Sequence, residues 1–198
     1  MSSNIAFFDF DGTITRSDTM LKLASYYKGA AGYLSGMAQL SPWLVAMKLG
    51  YLTTQKGKEK FLTQFFGGLS EVLFEELCSN FTKEVLPLQI RSDAMATIKK
   101  HQANGDKLVV VSASAENWVA PWCKENGLAF LGTRLETIDG KITGKLNGQN
   151  CNGSEKVARI LQAYQLEAYK DIFCYGDTKG DNEMLQIATH PFFRNFKQ

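Results

Sequence analysis

The chain has 198 residues, 44% hydrophobic and 21% charged, which fits one globular domain with a sizeable core or one domain carrying a smaller insert. A formal net charge of +2 gives no basic surface for nucleic acid, and Met1-Ser2-Ser3-Asn4 lacks the basic-then-apolar pattern of a secretory signal, so a cytoplasmic location is expected. Four cysteines without a Cys-x-x-Cys pair read as free thiols rather than disulfides or zinc ligands, and His101 and His190 read as incidental surface or strand-end residues.

Ile5 to Phe8 is a short apolar run, predicted as a buried strand. It ends at Asp9-Phe10-Asp11-Gly12-Thr13. Burying an unpaired carboxylate is costly, so a strand that ends in two acids is delivering them to a site. Ser17 or Asp18 then caps a helix whose apolar positions are Met20, Leu23, Ala24 and Tyr27, with Gly29 as its stop. Gly29 through Met47 carries no charge. Its Gly, Ser and Pro residues argue against a spanning helix and for one or two packed helices broken near Ser41-Pro42. A greasy lid that touches lipid is the sharper alternative.

A polar, basic stretch, Thr53 to Lys60, leads into Phe61-Leu62 and Phe65-Phe66, one helix face that Gly67-Gly68 ends. Leu69, Leu73, Leu77 and Phe81 mark a further helical stripe. Residues 17–86 therefore read as all-helical. Pro87 opens a helix with Ile90, Ala94 and Ile98 on one face and Gly105 at its end. Leu108 to Val111 is a second buried strand, ending at Ser112-Ala113-Ser114, with Ser114 placed to cap the helix of Trp118 and Trp122. Leu128 to Leu131 is a third strand. Glu136 to Thr143 is a hairpin around Asp139-Gly140. Asn152 to Lys156 opens a helix that buries Val157, Ile160, Leu161 and Tyr164. Ile172 to Tyr175 is another buried strand, ending at Gly176-Asp177-Thr178-Lys179-Gly180-Asp181 before a short helix, and Pro191-Phe192-Phe193 reads as an edge strand.

Strands alternating with helices make an α/β fold. In open parallel sheets ligands bind beyond the carboxyl ends of the strands, so Asp9, Asp11, Ser112, Asp177 and Asp181 are expected to meet there. Several acids at one point call for a cation. Mg²⁺ suits oxygen ligands, here Asp9, Asp177, a backbone carbonyl at Asp11, and Asp181 directly or through water. A phosphate sharing the metal would take its donors from the Ser112 hydroxyl, the N–H groups of Gly12 or Ala113, and the Lys156 ammonium. Asp9 then serves as nucleophile and Asp11 as general acid and base.

These residues resemble the four motifs of the haloacid dehalogenase-like hydrolase superfamily. Asp9-Phe10-Asp11-Gly12-Thr13 is similar to the first, Ser112 to the second, Lys156 to the third, and Gly176-Asp177 through Asp181 to the fourth. The resemblance implies a Rossmann-like core (1–16 and 87–198) with a parallel sheet and a helical cap (17–86) inserted after the first strand. It also implies Mg²⁺ and an aspartyl-phosphate intermediate. The insert resembles the small cap of the phosphoserine-phosphatase-like branch. Asp18 stands where that branch has a Glu for the substrate's amino group, and Lys58 or Lys60 stands in for its carboxylate-binding Arg. The expected activity is Mg²⁺-dependent hydrolysis of a small phosphorylated metabolite. The uncharged segment is similar to branch members acting on phosphatidylglycerophosphate-like lipids at a membrane surface, which is one alternative. Phosphoryl transfer through the same motifs is another. Asp11 argues against dehalogenation.

Overall fold

The computed structural model describes residues 4–196. Strand β1 (Ile5–Phe8) is fully buried and is paired in parallel on both sides, with Ile5 opposite Lys107 of one neighbour and Ile172 of the other. That position explains the continuous apolar run. Alternate side chains enter two cores: Ala6 and Phe8 join Val110 and Leu108, while Ile5 and Phe7 join Val109, Val111 and Cys174. Five strands form the sheet, in the order β3 (Ala129–Thr133), β2 (Lys107–Ala115), β1, β6 (Ile172–Gly176), β7 (His190–Phe193), and every pairing is parallel. This is the Rossmann-like α/β core with helices inserted after its first strand.

Between β1 and β2 lie α1 (Thr19–Lys48), α2 (Thr54–Phe66), α3 (Glu71–Glu84), α4 (Leu86–Gln89) and α5 (Ser92–Ala103). Asp18 caps α1, accepting from the Leu21 N–H at 3.1 Å. The helix bends at Gly29, whose φ of 66° and ψ of 173° suit glycine. The expected break at Ser41-Pro42 does not occur, and Pro42 lies inside the helix. Proline has no N–H for the Ala38 carbonyl four residues back, and the Ser41 hydroxyl donates to that carbonyl at 2.8 Å instead. Leu34, Val45 and Leu49 stay exposed on this helix and on the residue that ends it. Among the described residues no helix is long and apolar enough to cross a membrane.

α2 buries Phe61, Leu62, Phe65 and Phe66 as one face. In α3 the buried face is Phe74, Cys78 and Phe81, and Leu73 is exposed. The expected leucine stripe is displaced because α3 packs on α6 (Glu116–Glu125), where Thr82 donates to the Trp118 carbonyl. The helix expected to run on from Pro87 is split into α4 and α5 at the extended residues Ile90 and Arg91. There the chain leaving the insert pairs with the chain entering it. Ile90 bridges Thr15, the Arg16 N–H donates to the Gln89 carbonyl at 2.8 Å, and the Arg91 N–H donates to the Ile14 carbonyl at 2.9 Å.

After α6, the hairpin of β4 (Leu135–Ile138) and β5 (Lys141–Leu146) turns at Asp139 and Gly140, both with positive φ. It lies against the inserted helices: the Gly68 N–H donates to the Ile142 carbonyl and the Ile142 N–H to the Leu69 carbonyl. α7 (Ser154–Ala163) buries Lys156 and Ile160, whereas Leu161 is exposed, because the buried stripe runs at four-residue spacing towards Tyr164. α8 (Asn182–Gln186) follows β6. The four cysteines are buried thiols. His101 is not a surface residue. It is buried, with Nδ1 2.6 Å from Asp106 and Nε2 3.0 Å from the Tyr175 hydroxyl, partners that make burial of the ring tolerable. His190 is exposed at the start of β7, 3.2 Å from Asp171.

Candidate functional site

Three strands deliver the site. Asp9 directly follows β1, and its N–H donates to the Tyr175 carbonyl at 2.8 Å, so the ladder with β6 fixes where its carboxylate begins. The chain then makes a wide turn over Phe10–Ile14, closed by the Thr15 N–H to the Phe10 carbonyl at 2.9 Å. Gly12 has φ +82°, and a Cβ there would lie 2.5 Å from Asp177 Oδ2. Glycine is thus required both by backbone conformation and by the close approach of a carboxylate. Beyond β6, Asp177 Oδ1 accepts from the Thr13 hydroxyl at 3.2 Å.

Asp181 is held through both of its carboxylate oxygens. Its Oδ2 accepts from the N–H groups of Asp177 and Thr178 and from the Thr178 hydroxyl, and its Oδ1 accepts from Lys156 Nζ at 2.7 Å. Lys156, delivered by the first turn of α7, also donates to Asp9 Oδ1 at 2.6 Å. Burial alone would lower the lysine's pKa, but Asp9 and Asp181 outweigh it and the net direction is up. For Asp181 burial alone would raise the pKa, and Lys156 and the backbone donors bring it below the usual carboxylate range. Asp9 is pushed up to about 7, chiefly by burial, with Asp181 adding and Lys156 opposing. Asp9, Asp177 and Asp181 each offer a carboxylate oxygen, all within 4.8 Å of one another, which suits a divalent cation.

Opposite these groups, Ser112 is buried near the end of β2, and its Oγ accepts the Ser114 N–H at 3.0 Å. A hydroxyl that accepts from the backbone keeps its own proton for a ligand. Ser114 does not cap α6 as the sequence suggested. Ala115 takes the cap position without a side-chain bond, and the Ser114 hydroxyl makes a short hydrogen bond to Asp11 Oδ2. The pairing of β2 with β3 shifts register between Ser112 and Ala115, and Ser112, Ala113 and Ser114 all line the site there. Asp11 Oδ1 accepts the Thr19 N–H at 2.8 Å. Burial, with Asp18 adding, pushes the Asp11 carboxyl up to about 6.

A cleft of ≈ 320 Å³ joins these groups; Asp9, Asp11, Gly12, Asp18, Lys58, Ser112, Ala113, Lys156, Asp177 and Asp181 all line it. Its size is at the lower end of the range of about 300–1,000 Å³ for small-ligand sites. Lys58 reaches in from α2, donating to the Ala113 carbonyl and, at 3.1 Å, to Asn150 Oδ1. Burial lowers its pKa to about 8. Lys60 is not brought to the cleft: its ammonium lies 4.4 Å from the Trp43 ring centroid on the outer surface. Sequence reasoning gave no site role to Met20, Ser114, Asn152 and Thr178, which line the cleft, or to Thr13, which bonds Asp177. For Ser114 the available signal was a second hydroxyl two residues after Ser112 at a strand end.

A model of the haloacid dehalogenase-like hydrolase family matches residues 6–186. The protein CicA of Caulobacter vibrioides is 35% identical over 194 residues, covering 96% of this chain and 85% of that one. A histidinol-phosphatase of Neisseria meningitidis is 27% identical over 95% of this chain and 88% of its own length. Among solved structures, a Bordetella pertussis protein described as of unknown function superposes with a TM-score of 0.84 at 23% identity, covering 96% of this chain and 88% of that one. A substrate-bound phosphoserine phosphatase superposes with a TM-score of 0.68 at 19% identity, covering 95% and 84%. The structural likenesses establish the shared fold.

Proposed function

The chain belongs to the haloacid dehalogenase-like hydrolase family, and from that premise we propose that it is a Mg²⁺-dependent phosphatase of a small phosphorylated metabolite. The observation that carries this reading is the buried group of Asp9, Asp177 and Asp181 with Lys156 bound between two of them, facing Ser112 across one cleft. The names of the histidinol-phosphatase and the phosphoserine phosphatase support the reaction class. In this reading residues 17–86 are a cap over a core of 1–16 and 87–198.

The donor set is all oxygen and all buried, which fits Mg²⁺ held by Asp9, Asp177, the Asp11 carbonyl and Asp181 or its water. The ion would supply charge neutralisation for the phosphoryl group. The protein's own groups do the rest. The Ser112 hydroxyl, the N–H groups of Gly12 and Ala113, and Lys156 hold the phosphoryl oxygens. The Asp9 carboxylate attacks phosphorus, and the bond from phosphorus to the ester oxygen breaks. The Asp11 proton goes to the departing alkoxide, leaving an acyl phosphate on Asp9. Asp11, now ionised, takes a proton from water as that water attacks phosphorus. Inorganic phosphate leaves and both carboxyls return to their starting states. Asp18 and Lys58 line the same cleft and are the specificity residues of this reading.

The test is release of phosphate from an aryl phosphate with and without Mg²⁺. Asp9→Asn is expected to lose more than about 10³-fold in turnover while keeping its fold by circular dichroism. Turnover near that of the unsubstituted protein would remove the nucleophile assignment. A second reading, hydrolysis of a lipid phosphate at a membrane surface, is favoured by the uncharged stretch of α1 that leaves Leu34, Trp43 and Val45 in water.

A further inference from the structure

A buried chain of hydrogen bonds runs from α6 to Asp11 and has no part in the reading above. The Trp118 indole N–H donates to the Thr19 hydroxyl at 3.0 Å. The Thr19 and Ser114 hydroxyls lie 3.4 Å apart. The Ser114 hydroxyl bonds Asp11 Oδ2, and the Thr19 N–H donates to Asp11 Oδ1. Thr19, Ser114 and Trp118 are all buried. The direction of the chain follows from its ends. An indole N–H can only donate, so the Thr19 oxygen is occupied as an acceptor and its proton is left to point at Ser114. A backbone N–H also only donates, so Asp11 Oδ1 is fixed as an acceptor. Both oxygens of Asp11 are thereby gripped from one side, and the carboxyl plane is set.

We propose that Ser114 is a positioning residue that aims the Asp11 carboxyl at the leaving-group oxygen, and that Thr19 ties this aim to the seating of α1. This rests on the reading of Asp11 as the proton carrier. The argument for Ser114 is geometric. Asp11 sits in the wide turn at Phe10–Ile14, where its own backbone is non-helical and does not restrict its side chain as a regular element would. Two bonds from outside the turn supply that restriction. One comes from β2 and the other from the first residue of α1. The second means that the helix leading into the insert and the acid share a hydrogen bond. Proton delivery is then fully assembled only when the N-terminus of α1 rests against α6, where Trp118 holds Thr19. Positional control of a general acid is worth a large part of the factor of about 10²–10⁴ that such catalysis contributes.

The experiment compares kcat/KM for an alkyl phosphate and for 4-nitrophenyl phosphate. This ratio reports the steps up to departure of the alcohol. The alkoxide needs a proton to leave, and the nitrophenolate does not. Ser114→Ala is expected to lower kcat/KM for the alkyl ester at least about tenfold more than for the aryl ester, with KM for both changing little. Thr19→Val is expected to show the same skew, and Thr19→Ser, which keeps the hydroxyl, to restore the ratio of the unsubstituted protein. Equal losses on both esters, or no loss on either, would overturn the proposal by showing a structural role or none. Should Ser114→Ala fail to fold, the Thr19 pair decides the matter alone. Asp11→Asn and Asp9→Asn separate the premises. Asp11→Asn must show the skew if Asp11 is the acid, and Asp9→Asn must abolish both reactions if the phosphatase reading holds.

Discussion

Replacing Lys156 by Met tests the charge balance on which the site depends. The ammonium lies 2.6 Å from Asp9 Oδ1 and 2.7 Å from Asp181 Oδ1, and the side chains of the three residues are 1%, 9% and 2% exposed. Methionine keeps most of the apolar stem, so little of the effect is a cavity. The cost arises because two buried carboxylates lose their cation, which for a broken buried pair is about 3–5 kcal/mol. The pH dependence follows from the directions of the shifts. Burial already lifts Asp9 to about 7 against the opposing pull of Lys156, and removing that pull lifts it further. A carboxyl whose folded pKa lies above its unfolded value binds a proton in the native state first. Its contribution to stability is therefore present at low pH and is lost as pH rises from about 4 through the folded pKa. Asp181, held below the usual range by Lys156, loses that support in the variant. The deficit of Lys156→Met should thus be several kcal/mol at pH 8 and at least about 1 kcal/mol smaller at pH 5.5. Urea unfolding in the presence of a chelator, followed by the fluorescence of buried Trp118 and Trp122, measures both. A loss below about 1 kcal/mol at both pH values would refute the reasoning.

Gly12→Ala should destabilise by about 1–2 kcal/mol from the left-handed backbone alone. It should also weaken Mg²⁺ binding, since the new Cβ would displace the Asp177 carboxylate; calorimetric titration reads the second effect. Lys58→Met should raise KM for a phosphorylated substrate. In the unsubstituted protein KM should climb as pH passes about 8, where Lys58 gives up its charge, and the variant should lack that rise. If the α1 face serves a lipid substrate, changing Leu34, Trp43 and Val45 to Ser should lower co-sedimentation with anionic liposomes. Equal pelleting before and after substitution removes that reading.

Much of the core was legible because a buried parallel strand leaves a mark that little else leaves. Ile5–Phe8 and Leu108–Val111 are unbroken apolar runs that stop at polar residues. The spacing of Asp177 and Asp181 is legible for a similar reason: one short turn joins them, and the bond from the Asp177 N–H to Asp181 is local. What stayed hidden depends on partners distant in sequence. Ile90 looks helical by periodicity and is extended because Thr15, 75 residues earlier, pairs with it. Pro42 looks like a breaker and is tolerated because a neighbouring hydroxyl satisfies the carbonyl it frees. Ser114 sits where a helix cap belongs, but the acid of another loop competes for its hydroxyl and wins, a charge-assisted bond being stronger than a cap.

The same charge accounting fixes an order of events at the proposed site. Asp9, Asp11, Asp18, Asp177 and Asp181 line the cleft with Lys58 and Lys156, so carboxyls outnumber ammonium groups. A phosphomonoester dianion entering that cleft alone would meet net repulsion in a poorly solvated space. A divalent cation reverses the balance locally, so binding of Mg²⁺ should precede or accompany binding of phosphate. A metal ligand must be ionised, and Asp9 is lifted to about 7 by burial. Metal binding near pH 6.5 should therefore release protons, and the release should vanish by about pH 8.5. Calorimetry of Mg²⁺ binding in two buffers of different ionisation enthalpy measures this directly. Vanadate, a phosphate mimic, should bind tightly with Mg²⁺ and at least about tenfold more weakly with a chelator, the factor that 1.4 kcal/mol represents. Identical heats in both buffers at pH 6.5 would show that Asp9 is already ionised and that burial is outweighed by its partners. Equal vanadate binding with and without Mg²⁺ would show that Lys156, Ser112 and the backbone N–H groups suffice to hold the anion.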